Sequence, residues 1–400
     1  MYYIQIFLIK NLMNISNFKY PNLLFFFYPI SLILGSAIVN LILILSSLYF
    51  INYVLKNNFS FLNYGWEKIF FLFLIYIIFI SFFSFEVFQS LKSSISQIRF
   101  ILFSFFLSII NFKNIFESLK NILILVILFV CIDVNIQFIF GYDIFGYAAE
   151  GYSVAKYPPL SHWKNDQVIL GRLSGPFGTE LIPGAFISSI SPPVIFYIFN
   201  NLNKKNIKEN IIKIFFIIFI IFSVLLTGER LAFILICFCF LYVLFFKLNI
   251  KNFIIFISFT LIFIYFLSNI AGNNFIKKRW ADAYNISKDV KSSSYGRIYT
   301  SAIIVWKENI YFGTGLKNYK HQCQKLKDPD PENIHSFCSP THPHNIYFEL
   351  LSETGIIGTL IYMIFYISMI LYLIKNLKRK IKDKFYYFAL GSFFYLILKL

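Results

Sequence analysis

Long apolar runs dominate this chain and decide what it can fold into. A bilayer is crossed by about 20 consecutive apolar residues in a helix. Only 14% of the residues are charged and 58% are hydrophobic, whereas a soluble domain carries about a quarter charged residues. The composition therefore excludes a soluble fold and predicts an all-α, polytopic membrane protein. Eleven runs are candidate spans: 22–36, 37–53, 68–86, 93–110, 121–140, 181–200, 209–226, 231–247, 251–269, 345–374 and 385–400.

Lysine-rich short loops predict the orientation of these spans. Loops that hold several lysines, such as 204–213 and 375–384, belong on the cytoplasmic side. The first apolar stretch fits this pattern best as a hairpin broken at Gly35, although one long span remains an alternative. The net charge of +17 is then explained by topology and requires no nucleic acid partner.

The same rule places two long segments, 141–180 and 270–344, on the outer face. We expect three regions: N-terminal transmembrane helices in 1–269, a large helical periplasmic loop in 270–344, and C-terminal transmembrane helices in 345–400. The final run stops within apolar sequence, so about 11–12 spans and a truncated end are expected.

Arginine is scarce, which makes each arginine informative. Three of the six lie on the predicted outer face: Arg172, Arg230 and Arg297. A guanidinium group offers a planar fork that binds phosphate oxygens in pairs. Arg230 could instead reach for lipid headgroups, with Glu229 either pairing with it or pointing to water, and Arg297 could form a local ion pair. Prolines 183, 192 and 193 are expected to interrupt the span after Arg172.

The sequence PTHPHNIYFELLSETGIIG, residues 340–358, places a histidine where an outer loop becomes a span. With Pro343 in the first helical turn, His344 would lie at the positive end of a helix, which favours the neutral imidazole that a base requires. Gly355 and Gly358 are spaced for close approach by another helix. The alternative interpretation is a loop-end histidine beside ordinary packing glycines.

Several other polar residues give weaker indications of function. Asp328 and Asp330 resemble a metal-binding Asp-x-Asp, but a solvated loop is the better interpretation, and the histidines and cysteines match no zinc spacing, so we expect no metal and no cofactor. Cys323 could form a disulfide with Cys338. Asp133 and Gln137 are buried polar candidates of unknown purpose.

Taken together, these motifs resemble the O-antigen ligase and polymerase family of bacterial inner-membrane glycosyltransferases. His344-Asn345, nine residues, then Gly355-x-x-Gly358 is similar to that family's histidine motif. Arg230 resembles its Arg-x-x-x-Leu motif, here with Ile234 in the fifth place. Arg297 resembles its loop arginine, and the similarity covers roughly residues 120–375.

This resemblance implies a multi-pass enzyme of the bacterial inner membrane with its site facing the periplasm. It would transfer a glycan, with inversion and without metal, from an undecaprenyl-diphosphate-linked donor to a hydroxyl of a lipid A-core acceptor. The implied catalytic residues are His344, Arg297 and Arg230, and the implied substrate-binding residues are Arg172, His342 and Asn345. The alternatives are a repeat-unit polymerase of the same family and a lipid-linked sugar transporter or flippase, which would place its charges near mid-membrane.

Overall fold

Helices account for nearly all of the described chain. The computed structural model describes residues 20–57, 65–110, 112–149, 172–201, 207–247, 258, 288, 293–325, 342–377 and 390–392. Strand pairing within these ranges is limited to one isolated bridge between Tyr142 and Ala148. The all-α prediction is therefore confirmed. The helices are α1 (Tyr20–Leu34), α2 (Ser36–Asn57), α3 (Gly65–Ser81), α4 (Val87–Ser96), α5 (Ile98–Ile109), α6 (Phe112–Phe140), α7 (Pro183–Asn200), α8 (Ile207–Leu226), α9 (Arg230–Lys247), α10 (Ser294–Glu308), α11 (Tyr319–Lys325) and α12 (Ile346–Leu377).

Four described helices are long and apolar enough to cross a membrane. They contain the stretches Ser36–Lys56, Ile115–Phe140, Lys208–Leu226 and Ile346–Tyr372. Two shorter apolar helices, Pro21–Leu34 and Arg230–Tyr242, accompany them. A polytopic membrane protein is thus confirmed. The predicted run at 251–269 and most of the run at 385–400 lie outside the described residues.

The N-terminal helices differ from the predicted spans in one place. Gly35, with φ 110°, separates α1 from α2, so the favoured break is confirmed. The predicted single span at 93–110 is wrong, because the chain changes helix at Gln97, between α4 and α5. α4 is polar on one face, where the buried hydroxyl groups of Ser90 and Ser94 bond to Ser81 at 2.9 and 2.7 Å. Its small hydroxyl side chains pack against α3, and the apolar run resumes only in α5.

The prolines of α7 do not interrupt it, contrary to the prediction. Pro183 occupies the first turn, where a missing N–H costs nothing, and Pro192 and Pro193 lie within one continuous helix. Both internal prolines are buried. Surrounding helices can accommodate a proline in a membrane helix, because they satisfy or cover the freed backbone groups.

The contacts divide the chain into two compact units. The first contains Met1–Ile42, Asn111–Asp282 and Leu377–Leu400, and the second contains Leu43–Ile110 and Ala283–Asn376. In the first unit α6, α7, α8 and α9 pack on one another around fully buried aliphatic side chains such as Val130, Val194 and Ile220. The second unit contains α3 to α5 and α10 to α12. The three-region division expected from the sequence stays a prediction.

Candidate functional site

In the first unit, buried polar side chains of α6 anchor the segment that follows α6 and the segment that precedes α7. Gln137 accepts the backbone N–H groups of Ser174 and Gly175, each at 2.9 Å, and donates to the carbonyl of Tyr147 at 3.1 Å. One turn earlier, Asp133 accepts the N–H of Ile144 at 2.8 Å. These polar residues, whose purpose the sequence did not reveal, therefore fix the loops that follow α6 and precede α7.

Arg172 lies at the start of the described part of the second anchored segment, and its guanidinium group contacts Leu181 and Glu229. Its Nη2 donates to the carbonyl of Leu181 at 2.7 Å and lies 3.9 Å from Oε2 of Glu229. The side chain is half-buried. The structure thus gives Glu229 an ion-pair partner, Arg172, that the sequence had not suggested.

Glu229 also caps α7. Its two carboxylate oxygens accept the N–H groups of Gly184 at 2.8 Å and Ala185 at 3.1 Å, at the helix end where unsatisfied N–H groups favour negative charge. Burial raises the pKa of Glu229, while the amides and Arg172 act in the opposite direction. Gly184 permits this approach, since a Cβ there would lie 2.5 Å from Oγ1 of Thr227.

Arg230 is the first residue of α9 and is half-buried. The preceding turn is tight: Gly228 has φ 74°, and the Oγ1 of Thr227 accepts the N–H of Glu229 at 3.3 Å. The turn therefore places two charged side chains of opposite sign side by side at the junction of α8 and α9. Arg172 also lies near this turn, because its guanidinium group is 3.9 Å from the carboxylate of Glu229.

In the second unit, Asn345 is the residue that starts α12. Its Oδ1 accepts the N–H of Tyr347 at 2.9 Å, which is the bond expected of a helix cap. The prediction that Pro343 lies in the first turn is wrong, because the helix begins three residues later, at Ile346. His344 precedes the cap with φ 56°, a left-handed conformation that histidine adopts more readily than most residues.

His344 is exposed, and its surroundings favour the neutral imidazole. Partial desolvation lowers its pKa below the ordinary value, His342 lowers it further, and Glu349 opposes both. The backbone N–H of His344 donates to Nδ1 of His342 at 3.0 Å, so that nitrogen carries no proton. The two rings are 4.4 Å apart, and Tyr295 meets His344 edge-on at 6.5 Å. A neutral imidazole is the form that a general base requires.

Arg297 lies on α10, the helix that contacts this histidine. Ile298, Ala302 and Val305 form the buried stripe of this helix, whereas Trp306 is half-buried. Tyr299 stacks on Phe348 of α12 at 4.7 Å between ring centroids. Because residues two apart in a helix point about 200° from each other, Arg297 and Tyr295 flank opposite edges of the stripe. The structure thus places Arg297 on the helix beside His344, but not on the edge that contacts it.

The sequence did not reveal that α12 is broken at Gly355. This residue has φ 63° and ψ −171°, a conformation open only to glycine. Residues 309–319, here called the docking loop, fill the break. Across it, the N–H groups of Thr314 and Gly315 donate to the carbonyls of Ser352 and Glu353, and those of Ile356 and Ile357 donate to the carbonyls of Ile310 and Tyr311, at 2.8–3.3 Å.

The two motif glycines therefore have different roles. A Cβ on Gly355 would lie 2.3 Å from the carbonyl oxygen of Tyr311, so this glycine admits a loop backbone rather than another helix, which corrects the prediction. At Gly358 a Cβ would lie 2.6 Å from the ring of Tyr76 on α3, which is the close helix contact that was expected. The sequence offered one sign of this loop, the two closely spaced glycines Gly313 and Gly315. In the structure both adopt positive φ, which allows the loop backbone to turn into the break.

The remaining predicted features divide between described and undescribed residues. Cys323 is disulfide-bonded, whereas Cys131, Cys237 and Cys239 are free. Its suggested partner, Cys338, lies outside the described residues, as do Asp328, Asp330 and His335, so that pairing stays a prediction.

Comparison with known proteins bears directly on this arrangement. Residues 215–363 match the family model described as O-antigen ligase, while a search of curated proteins finds no match. The match is shorter than the predicted 120–375: it includes Arg230, Arg297 and His344 and excludes Arg172. Proteins of this kind are ligases and polymerases of lipid-linked glycans. Residues 215–363, which include the motif histidine and both motif glycines at 344–358, are therefore similar to the O-antigen ligase family.

Proposed function

We propose that this protein transfers a glycan from undecaprenyl diphosphate to a hydroxyl of lipid A-core, at the periplasmic face of the inner membrane. The observation that carries the proposal is His344: an exposed imidazole with a lowered pKa just before α12, a helix long and apolar enough to cross a membrane, inside the region matched by the family model. An acceptor hydroxyl can reach such a group, and its low pKa keeps it able to accept a proton at neutral pH.

The proposed reaction is a single displacement. The acceptor oxygen attacks the anomeric carbon as its proton passes to His344, and the bond from that carbon to the diphosphate oxygen breaks. Attack from the side opposite the leaving group inverts the anomeric configuration. Undecaprenyl diphosphate leaves with the bonding electron pair, and its added charge is what Arg230 and Arg297 would stabilise. Arg172, His342 and Asn345 are proposed to bind substrate.

Two of these assignments have a structural role beside the proposed one. Asn345 caps α12 and His342 holds the backbone of His344, so each could affect transfer by shaping the loop. Arg172 is held by the carbonyl of Leu181 and lies close to Glu229, which leaves its guanidinium with preorganised geometry. We therefore expect His344, rather than His342, to be the residue whose loss abolishes the chemical step.

The test uses purified protein in liposomes with a lipid-diphosphate-linked glycan donor and lipid A-core. We expect a covalent glycan–lipid A-core product, lost in His344→Ala and reduced but present in His342→Ala. Lysine at position 230 or 297 should not restore the rate if paired bonds to the diphosphate matter. Extension of the donor glycan without transfer to lipid A-core would refute the ligase activity and support the polymerase activity. Donor movement across the bilayer without any new glycosidic bond would refute the proposed transferase activity and support a transporter.

A further inference from the structure

A cluster of exposed aromatic side chains lies where α3 turns into α4, in the second unit. Four phenylalanines are between 47% and 82% exposed: Phe82, Phe83, Phe85 and Phe88. They continue the exposed side of α3, since the ring of Phe83 lies 5.2 Å from the ring of Phe79, which is also exposed. A soluble surface rarely carries so many large apolar side chains together, so such a patch marks contact with a membrane or with another protein.

The packing of α3 on α12 gives the depth of this turn. Three contacts align the two helices antiparallel within the apolar stretch Ile346–Tyr372: Phe70 with Phe365, Phe73 with Tyr362, and Tyr76 with Thr354. At 1.5 Å per residue, Phe82 lies about 9 Å beyond Tyr76, and Ile346 lies about 12 Å beyond Thr354 in the same direction. The exposed phenylalanines are therefore level with the end of the stretch that can cross a membrane.

α4 has its polar and apolar sides reversed relative to a helix in water. Ser90 and Ser94 are buried and bond to a serine of α3, whereas Phe88 and Ile95, on the opposite side, are exposed. Lipid solvation favours this arrangement, because hydrocarbon offers hydroxyl groups no hydrogen bonds. Lys92 is exposed on the same side, between Phe88 and Ile95. In lipid, the ammonium group of such a lysine extends to the polar boundary.

A second lysine lies at the same turn. Nζ of Lys325, the last residue of α11, is 3.3 Å from the centre of the Phe85 ring. α11 is also joined to α4, since Nε2 of His321 lies 3.1 Å from Oε1 of Gln89, one turn before Lys92. Within the part of the chain that the structure describes, neither lysine forms an ion pair. Two ammonium groups thus flank the exposed aromatic rings.

We propose that this face, formed by residues 82–95 and Lys325, binds an anionic phospholipid. The aromatic rings lie among the acyl chains near the membrane boundary, and Lys92 and Lys325 bind the phosphate oxygens. Charge selects the occupant: Glu86 is the only acidic residue of 82–95, so positive charge is in excess beside an apolar surface. A lipid with net negative charge matches this pairing better than a zwitterionic one. The inference goes beyond the proposed transfer reaction and does not depend on it.

The test places a reporter in the face itself. Phe88→Trp in the full chain is reconstituted in bilayers that contain brominated phosphatidylglycerol or brominated phosphatidylcholine, and quenching in the parent is subtracted. We expect the introduced tryptophan to report at least about fivefold tighter binding of phosphatidylglycerol, since a lysine near an anionic lipid contributes about that factor. Adding Lys92→Gln or Lys325→Gln should lower the preference about fivefold each. The matched control is Lys56→Gln, which removes an exposed lysine at the end of α2 and should leave the preference unchanged.

The outcomes distinguish the lipid from other occupants. Equal quenching by the two brominated lipids overturns the proposal, and so does a preference that survives both lysine substitutions. Quenching by aqueous acrylamide but by neither lipid places the face in water, and protection from all three quenchers shows that protein covers it; either result refutes the lipid site. If Lys92→Gln does not fold, Lys92→Arg with Lys325→Gln decides between one cation and two: the preference should fall about fivefold, and an unchanged value refutes a role for Lys325.

Discussion

Alanine at position 355 should release the docking loop. Gly355 occupies a backbone region that costs other residues about 1–3 kcal/mol. The added Cβ would also lie 2.3 Å from the carbonyl oxygen of Tyr311 and 2.6 Å from the N–H nitrogen of Gly313. Both neighbours are backbone atoms, which cannot rotate away as a side chain can. We therefore take about 3 kcal/mol as the lower bound for destabilisation of the docked state.

The strain is relieved when the loop leaves the break, which sacrifices the four backbone hydrogen bonds that cross it. Each such bond contributes about 0.5–1.5 kcal/mol net, so docking is worth a few kcal/mol and the substitution offsets much of it. A change of about 3 kcal/mol raises the open population about 100-fold, since each 1.4 kcal/mol is a factor of ten.

Limited trypsin digestion of the purified protein measures this opening. Lys317 is exposed and lies in the docking loop, and cleavage after it follows the open population when opening is fast. We expect cleavage about 100-fold faster in Gly355→Ala than in the parent. The matched control is Gly358→Ala, whose Cβ would meet the side chains of Thr354 and Tyr76, so a smaller increase is expected. Equal cleavage in both variants would show that Gly355 is an ordinary packing glycine.

Three further predictions follow from the site geometry. Asn345→Ala should lower the free energy of unfolding by about 1 kcal/mol through loss of the helix cap, and Asn345→Asp should recover it; equal melting temperatures of Asn345→Ala and the parent in detergent would contradict the cap. The transfer rate should fall only below about pH 6.5, because the pKa of His344 is lowered and the neutral base is lost only when the pH falls through that pKa. Glu349→Gln removes the charge that raises this pKa, so the fall in rate should move to a still lower pH. A rate that already falls above about pH 6.5 would refute the lowered pKa. Glu229→Ala should raise hydrogen exchange at Gly184 and cost about 1.5–3 kcal/mol of stability, because α7 loses a charged acceptor; unchanged exchange would contradict that role.

Local sequence properties were enough to locate most of the described helices. Apolar length and hydropathy belong to a stretch of chain rather than to its partners, so the runs at 209–226 and 231–247 correspond closely to α8 and α9. The similarity to the O-antigen ligase family was also readable, because the motifs place histidine and glycine at fixed separations that need no structure to count. The division at Gln97 was missed, because the predicted run at 93–110 joined the polar end of α4 to the apolar helix α5.

The site required contacts between residues that are distant in the chain. Glu229 could have paired with its neighbour Arg230, but its partner is Arg172 and its oxygens cap α7. Such choices depend on which unsatisfied N–H groups the fold brings near, and no local pattern contains them.

By itself, the sequence determined that this is an all-α membrane protein and which candidate site residues lie beside particular spans, since bilayer solvation acts on each segment separately. Only the tertiary structure decided that Gly355 breaks α12 instead of allowing another helix to pack closely against it. The spacing Gly-x-x-Gly is the same in either case. What distinguishes them is a loop some 40 residues earlier, whose amides and carbonyls satisfy the backbone groups that the break exposes.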